Sequence, residues 1–118
     1  MNYVFINYPK CSTCQKAKKF LDKNNIKYTD RHIVTDTPTY EELKNIIEIS
    51  GLPVNKFFNT SGLLYRSMNL KNELKSLSDD EKIRLLSSNG MLIKRPILVN
   101  NNTVLVGFKE EEWNKLKK

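Results

Sequence analysis

Two cysteines separated by two residues, Cys11 and Cys14, carry the clearest chemical potential in this 118-residue chain, which contains no other cysteine. Such a C-x-x-C pair at the start of a helix is typical of thiol-disulfide chemistry, because unpaired amide groups and the positive end of the helix dipole stabilise a thiolate. We expect Cys11 to be the nucleophile. Cys14, one helical turn further on, is placed to act as the resolving cysteine that attacks a mixed disulfide. Lys10 and Lys16 add positive charge nearby.

The residues alone leave two other interpretations of the pair open. Free cysteines are frequently small buried hydrophobic residues, and a C-x-x-C is also half of a zinc site. The position of Cys11 directly after Pro9 and Lys10, in a turn, disfavours an inert core role. A structural zinc needs four ligands, and two cysteines with the one histidine, His32, supply too few without a carboxylate or a second copy, so we expect no metal. We interpret His32 as an exposed or hydrogen-bonded strand residue, not as a base.

Hydrophobic periodicity predicts the elements that position the cysteines. Residues 3–6 form an apolar strand that leads into the motif, and an amphipathic helix runs from residue 12 or 13 to residue 24. A second strand at 27–34 completes a βαβ unit, which places the cysteines at the carboxyl end of the first strand, where sites of α/β folds lie. Near the end, 97–106 read as a hairpin, followed by a helix from Lys109.

The middle of the chain, residues 39–90, is predicted to be a helical insertion. Two capping-box patterns begin helices, one at Thr39 with Glu42 and one at Ser78 with Glu81. Another helix is predicted at 70–77, whereas 53–66 has no clear periodicity. A βαβ half joined to a ββα half in one four-stranded mixed sheet is the thioredoxin-like arrangement. We therefore predict an α/β fold in a single domain, 1–118, with the insertion between its halves.

The composition is that of an ordinary globular chain, with 39% hydrophobic and 28% charged residues. No segment has the ~20 apolar residues that cross a bilayer, and the start has no basic leader, so we expect a cytoplasmic protein without membrane attachment. The net charge of +7 indicates a solvated basic surface, and the alternatives are that it steers an anionic substrate or docks on an acidic partner. Direct binding to nucleic acid is not expected, because no basic stripe alternates with aromatic residues.

Several segments together resemble the arsenate-reductase-related (ArsC) family, whose members include glutaredoxin-coupled arsenate reductases and the Spx transcriptional regulators. The resemblance covers essentially the whole chain. The chain is similar above all to short bacterial members of the family that have a C-x-x-C. The segments that carry it are Tyr8-Pro9-Lys10-Cys11 with Cys14, Lys16-Ala17-Lys18-Lys19, Phe57-Phe58-Asn59-Thr60-Ser61-Gly62, Tyr65-Arg66, Ile93-Lys94-Arg95-Pro96-Ile97 and Val106-Gly107-Phe108.

The resemblance implies a redox site built around Cys11. Arg95 and Arg66 then match two anion-binding arginines of the reductases, and the Arg95–Pro96 bond is expected to be cis, with Arg95 beside the nucleophile. The implied function is a thiol oxidoreductase that acts on a disulfide or on an oxyanion such as arsenate. No bound cofactor is implied: the reductant is a thioredoxin, a glutaredoxin or a low-molecular-weight thiol. The alternative is an Spx-like redox-sensing regulator that binds RNA polymerase. We expect a monomer.

Three positions depart from the pattern of the reductases. Asn7 stands where they have a histidine, Cys14 where they have a serine, and Gly107 where their third arginine falls. An oxyanion site needs several fixed positive donors, so the missing arginine weakens the prediction of arsenate as substrate. The second cysteine favours an intramolecular disulfide, as in Spx.

Overall fold

The computed structural model describes residues 2–117 and contains a four-stranded mixed sheet. Its strands are β1 (Tyr3–Asn7), β2 (Tyr28–His32), β3 (Ile97–Val99) and β4 (Val104–Val106), in the order β2-β1-β3-β4. β1 pairs in parallel with β2 and antiparallel with β3, and β3 and β4 form the antiparallel hairpin. The predicted α/β fold, with a βαβ half and a ββα half in one thioredoxin-like sheet, is confirmed.

Six α-helices and four short 3₁₀ helices accompany the sheet among residues 2–117. The α-helices are α1 (Ser12–Lys23), α2 (Tyr40–Ser50), α3 (Leu63–Ser67), α4 (Leu70–Glu73), α5 (Asp79–Ser88) and α6 (Glu110–Trp113), and the 3₁₀ helices are Val54–Phe57, Leu74–Ser76, Gly90–Leu92 and Asn114–Leu116. The helices between β2 and β3 form the predicted insertion. None of the helices in the described part of the chain is long and apolar enough to span a bilayer.

Both predicted capping boxes are present, and they explain why α2 and α5 begin where they do. The hydroxyl of Thr39 accepts from the backbone N–H of Glu42, whose carboxylate accepts from the N–H of Thr39. Ser78 and Glu81 repeat this reciprocal arrangement at the start of α5. Each box satisfies two donors that a helix start otherwise leaves unpaired.

The insertion differs from the prediction in two short segments. The segment 53–66, which has no clear periodicity, contains the 3₁₀ turn Val54–Phe57 and most of α3. The helix predicted at 70–77 is α4 followed by a 3₁₀ turn that ends at Ser76. Neither α3 nor α4 has a side-chain cap, and Asn69 precedes α4 with a left-handed φ of 52°. Helices this short are stabilised by packing and not by local sequence signals, which is why the pattern does not predict them.

Two hydrophobic clusters lie on opposite faces of the sheet, and neighbouring residues of β1 supply one to each. Phe5 faces the cluster of α1 and the C-terminal segment, with Leu21, Leu98 and Trp113. Ile6 faces the larger cluster formed with the insertion. Because side chains alternate along a strand, this single strand connects both halves of the core and holds the start of α1 rigidly at its end.

Candidate functional site

The C-x-x-C lies at the edge of the sheet where β1 ends and α1 begins. Cys11 is the N-cap of α1, and its Sγ accepts from the backbone N–H of Cys14 at an N···S distance of 3.4 Å. The N–H of Cys11 donates to the carbonyl of Tyr8 at 3.0 Å, which closes the turn between strand and helix. The first cysteine therefore takes the position where Ser, Thr or Asp usually caps a helix, and its sulfur faces the unpaired N–H groups.

The two thiols differ in accessibility. Cys11 is partly exposed, whereas Cys14 is only 1% exposed, and both are free thiols in this structure. Burial raises the pKa of Cys14 to about 12, and the neighbouring Cys11 thiol adds to this shift, while a backbone hydrogen bond from Tyr8 opposes it. Cys14 therefore stays protonated and covered at neutral pH.

The electrostatic surroundings of Cys11 shift its thiol in the opposite direction. Burial by itself raises the pKa of Cys11, but hydrogen bonds from the side chain and backbone of Cys14, together with the hydrogen bond and charge of Arg95, outweigh it, so the net pKa is lowered. A thiolate is the nucleophilic form of cysteine. Cys11 is thus the residue of the pair on which a thiolate forms, and it is also the one that solvent reaches.

Arg95 meets Cys11 because the antiparallel pairing of β1 with β3 brings the start of β3 to the end of β1. The Arg95–Pro96 peptide bond is cis, and the Arg95 guanidinium carbon lies 5.0 Å from the ring centroid of Tyr8, in cation–π contact. Its Nη1 is buried and has no hydrogen-bond partner within residues 2–117. A guanidinium with a free donor beside a thiolate is a place where an anionic group can bind.

Arg66 is a residue of α3. Its side chain is exposed, and its Nη2 donates to the carbonyl of Ser61 at 2.9 Å. No hydrogen bond joins Arg66 to either cysteine within the described residues. The structure thus brings together Cys11, Cys14, Arg95 and Pro96 of the predicted site but leaves Arg66 on the surface of α3.

His32 is a hydrogen-bonded residue at the end of β2. Its Nδ1 accepts from the backbone N–H groups of Val34 and Thr35 at 3.1 and 3.2 Å, and its ring meets Tyr8 edge-on with 5.7 Å between centroids. The Nδ1 atom is thus occupied by two backbone donors. The interpretation as a satisfied strand residue agrees with this geometry.

Two neighbours of the site were not predicted from the sequence. Tyr8 supports the Arg95 guanidinium with its ring and contributes backbone groups to both cysteines. Asn7, 5% exposed, donates to the carbonyl of Phe5 at 3.1 Å and to a carboxylate oxygen of Asp30 at 2.7 Å. A Tyr-Pro turn before the motif was the only signal for Tyr8. Asn7 thus connects β1 to β2, and neither of these two hydrogen bonds involves a thiol.

Metal-binding residues do not cluster in the described part of the chain: residues 2–117 contain no group of three or more His, Cys, Asp or Glu side chains arranged to hold an ion. His32 packs edge-on against Tyr8, and its Nδ1 accepts from backbone amides.

The fold and the site define a thioredoxin-like protein with a cysteine pair at a helix N-terminus beside a cis-proline. Residues 6–116 match the model of the ArsC family, and the chain belongs to that family. It is 50% identical to YusI of Bacillus subtilis over 113 residues, which covers 96% of both chains. It is also 30% identical to the global transcriptional regulator Spx 2 of Bacillus anthracis, over 95% of this chain and 84% of that one.

Solved structures show the same relationship. An ArsC family related protein from Bacteroides fragilis superposes with a TM-score of 0.96 at 58% identity, covering 99% of this chain and 98% of that one. An arsenate reductase from Vibrio cholerae superposes with a TM-score of 0.86 at 28% identity, covering 98% and 97%. The chain thus has relatives among reductases and among transcriptional regulators.

Proposed function

We propose that this protein is a thiol-disulfide oxidoreductase in which Cys11 is the nucleophile and Cys14 the resolving cysteine. The observation that carries the proposal is the placement of the accessible Cys11 sulfur at the start of α1, where it accepts from the backbone N–H of Cys14 and where Arg95 helps to lower its pKa. Membership of the ArsC family supports a redox role for these thiols. The reductant that restores the pair is an external thiol, either a thioredoxin, a glutaredoxin or a small thiol.

The reaction proceeds in two exchanges. The Cys11 thiolate attacks one sulfur of a disulfide substrate, forming a mixed disulfide and releasing the other half as a thiolate that takes up a proton. Cys14 then loses its proton to the second departing thiolate and attacks the Cys11 sulfur. The products are the Cys11–Cys14 disulfide and two substrate thiols, so the pair has supplied two electrons.

The opposite pKa directions of the two thiols order these steps. While Cys11 carries a free thiol or thiolate, its hydrogen bond and charge help to raise the pKa of Cys14. Once Cys11 is in a mixed disulfide, those two contributions disappear, and the pKa of Cys14 falls although burial still raises it. Cys14 therefore loses its proton more easily after the first exchange than before it.

Single-turnover mass spectrometry tests this proposal. Reduced wild-type protein mixed with glutathione disulfide is expected to lose two hydrogens as the internal disulfide forms, whereas Cys14→Ser retains glutathione on Cys11 and Cys11→Ser does not react. Arsenate in place of glutathione disulfide tests the oxyanion substrate, since reduction of arsenate to arsenite takes the same two electrons. Wild-type protein that neither substrate oxidises would rule the proposal out.

A second candidate function is a redox-sensing transcriptional regulator, in which the cysteine pair is a switch and RNA polymerase is the partner. The similarity to Spx 2, over 95% of this chain and 84% of that one, and the net charge of +7 favour it. The test is binding of purified polymerase to tagged protein in its reduced and disulfide forms, with a Cys11→Ser, Cys14→Ser double variant as control. Binding that needs the disulfide supports the switch, and no binding in either state excludes it.

A further inference from the structure

The side chain of Lys94 lies across Gly107, and the glycine leaves the space for it. A Cβ atom at Gly107 would lie 2.9 Å from Cε and 3.9 Å from Nζ of Lys94. Gly107 has a φ of 73°, which L side chains rarely adopt. Both the backbone conformation and the missing Cβ therefore let the lysine chain pass close to the strand end, so the position of its ammonium is defined by the fold.

The register of the sheet places this lysine at the edge that carries Cys11. Ile6 of β1 pairs with Ile97 of β3, which pairs in turn with Val106 of β4. The residues just after β1, just before β3 and just after β4 therefore lie at one edge of the sheet. The N–H of Gly107 donates to the carbonyl of Pro96 at 2.8 Å, which holds the third of these segments against the second.

The positive charges at this edge have no internal counter-charge. No ion pair of residues 2–117 includes Lys94 or Arg95, and α1 has no acidic residue in its first turn. Lys94 is only partly exposed, and Nη1 of Arg95 is buried without a partner. Lys94 and Arg95 are consecutive residues, both are partly removed from water, and neither forms an ion pair within the described residues, so an anion bound at this edge would stabilise them.

We propose that Lys94 is a second positive donor of an anion subsite at Cys11, with Arg95 as the first, and that Gly107 creates the room in which Lys94 reaches it. This inference rests on the proposed function of Cys11 and deepens it. The substrate class it implies carries a negative group, either a tetrahedral oxyanion or a carboxylate, next to the atom that the thiolate attacks. Neutral disulfides are correspondingly poorer substrates.

The test compares two alkylating reagents that differ only in charge. Iodoacetate and iodoacetamide both react with the thiolate by displacement of iodide, and the ratio of their rates at Cys11, measured by peptide mass spectrometry, cancels the thiolate fraction. Lys94→Gln is expected to lower the iodoacetate-to-iodoacetamide ratio by at least ~3-fold, because a fixed positive charge near the sulfur is lost. Lys94→Arg, which keeps the charge, is expected to retain most of the ratio.

Lys27→Gln is the matched control. It removes the same charge from an exposed lysine that precedes β2, at the opposite edge of the sheet from the carboxyl end of β1. Its ratio is expected to stay at the wild-type value. Equal effects of Lys94→Gln and Lys27→Gln on the rate ratio would overturn the proposal, because the ratio would then depend on the net charge of the molecule and not on the position of Lys94. The alkylation measurement needs no turnover, so it succeeds or fails independently of the oxidoreductase assay.

Protection experiments separate the two kinds of anion. Inorganic phosphate and acetate are added, at equal ionic strength, while iodoacetamide labels Cys11 in wild type and in Lys94→Gln. Protection by phosphate that the variant loses indicates an oxyanion subsite, and protection by acetate alone indicates a carboxylate of a thiol compound. Protection by neither anion in the wild type would contradict the subsite.

Discussion

The thiol of Cys11 and the thiol of Cys14 are three residues apart, yet the structure shifts their pKa values in opposite directions. The difference arises from what each sulfur faces. Cys14 is inside the first turn of α1 and desolvated, whereas Cys11 caps the helix and meets the guanidinium of Arg95. Cys11 is therefore the more reactive thiol, whereas burial keeps Cys14 protonated.

Arg95→Met tests this account at the level of a single residue. The substitution removes two contributions of Arg95 that lower the pKa of Cys11, its hydrogen bond and its charge. Burial, which raises this pKa, is then less strongly opposed, so the pKa is expected to rise. The thiolate then forms only at higher pH. The midpoint of the pH profile of Cys11 alkylation by iodoacetamide should move upward, with a several-fold lower rate at neutral pH.

Arg66→Met is the matched control for that measurement, because Arg66 is exposed and bonds only to the Ser61 carbonyl among the described residues. Its alkylation profile is expected to match the wild type. If both variants moved the midpoint equally, the shift would arise from the net charge of the protein, and Arg95 would have no specific effect on the pKa of Cys11.

At the level of elements, the end of the insertion is held against the end of β2 by a close backbone contact. Gly90, at the start of the 3₁₀ turn Gly90–Leu92, is buried, and a Cβ there would overlap the carbonyl oxygen of Ile33. This contact sets the path of the chain into Lys94 and Arg95. The position of the arginine thus depends on a glycine several residues before it.

Gly90→Ala is therefore expected to destabilise the protein strongly, by ~3 kcal/mol, since neither backbone segment can move without disturbing the sheet or the insertion. Gly51→Ala is the comparison: it also replaces a glycine, with φ 68°, but nothing lies within 4 Å of the new Cβ. Only left-handed strain of ~1 kcal/mol is expected there. Equal losses in urea denaturation would show that the contact with Ile33 is not tight.

On the scale of the whole molecule, the two hydrophobic clusters are joined through β1. Phe5 and Ile6 are consecutive, and they belong to different clusters on the two faces of the same sheet. Unfolding one cluster removes the support of the strand that the other needs. The edge of the sheet that carries Cys11 depends on both clusters, because α1 packs on one face and the segment that leads to Arg95 packs on the other.

Unfolding is therefore expected to be a single cooperative transition. Trp113, the one tryptophan, is fully buried in the α1-side cluster, whereas most helical residues lie in the insertion. Guanidinium titrations followed by tryptophan fluorescence and by far-UV circular dichroism should give coincident curves. Separate midpoints would show that the insertion unfolds as an independent unit.

The sequence by itself determined the features that depend on local spacing. Three features follow from residues close in the chain, since helix periods and caps act over a few residues. They are the cysteine pair at a helix start, the two capping boxes, and the succession of strands and helices along the chain that indicates a thioredoxin-like fold. The family resemblance extended this to Arg95 and Pro96. The resemblance also implied an anion-binding role for Arg66, whose exposed side chain donates to the Ser61 carbonyl in the structure.

Only the tertiary structure decided which groups surround the sulfurs. The registers of β1 with β3 and of β3 with β4 bring Arg95, Lys94 and Gly107 to the edge where Cys11 lies, although they are more than eighty residues away in the chain. Burial of Cys14 likewise depends on packing between distant segments. Such contacts depend on long-range pairing and on the space left by a missing Cβ, and no local pattern encodes either.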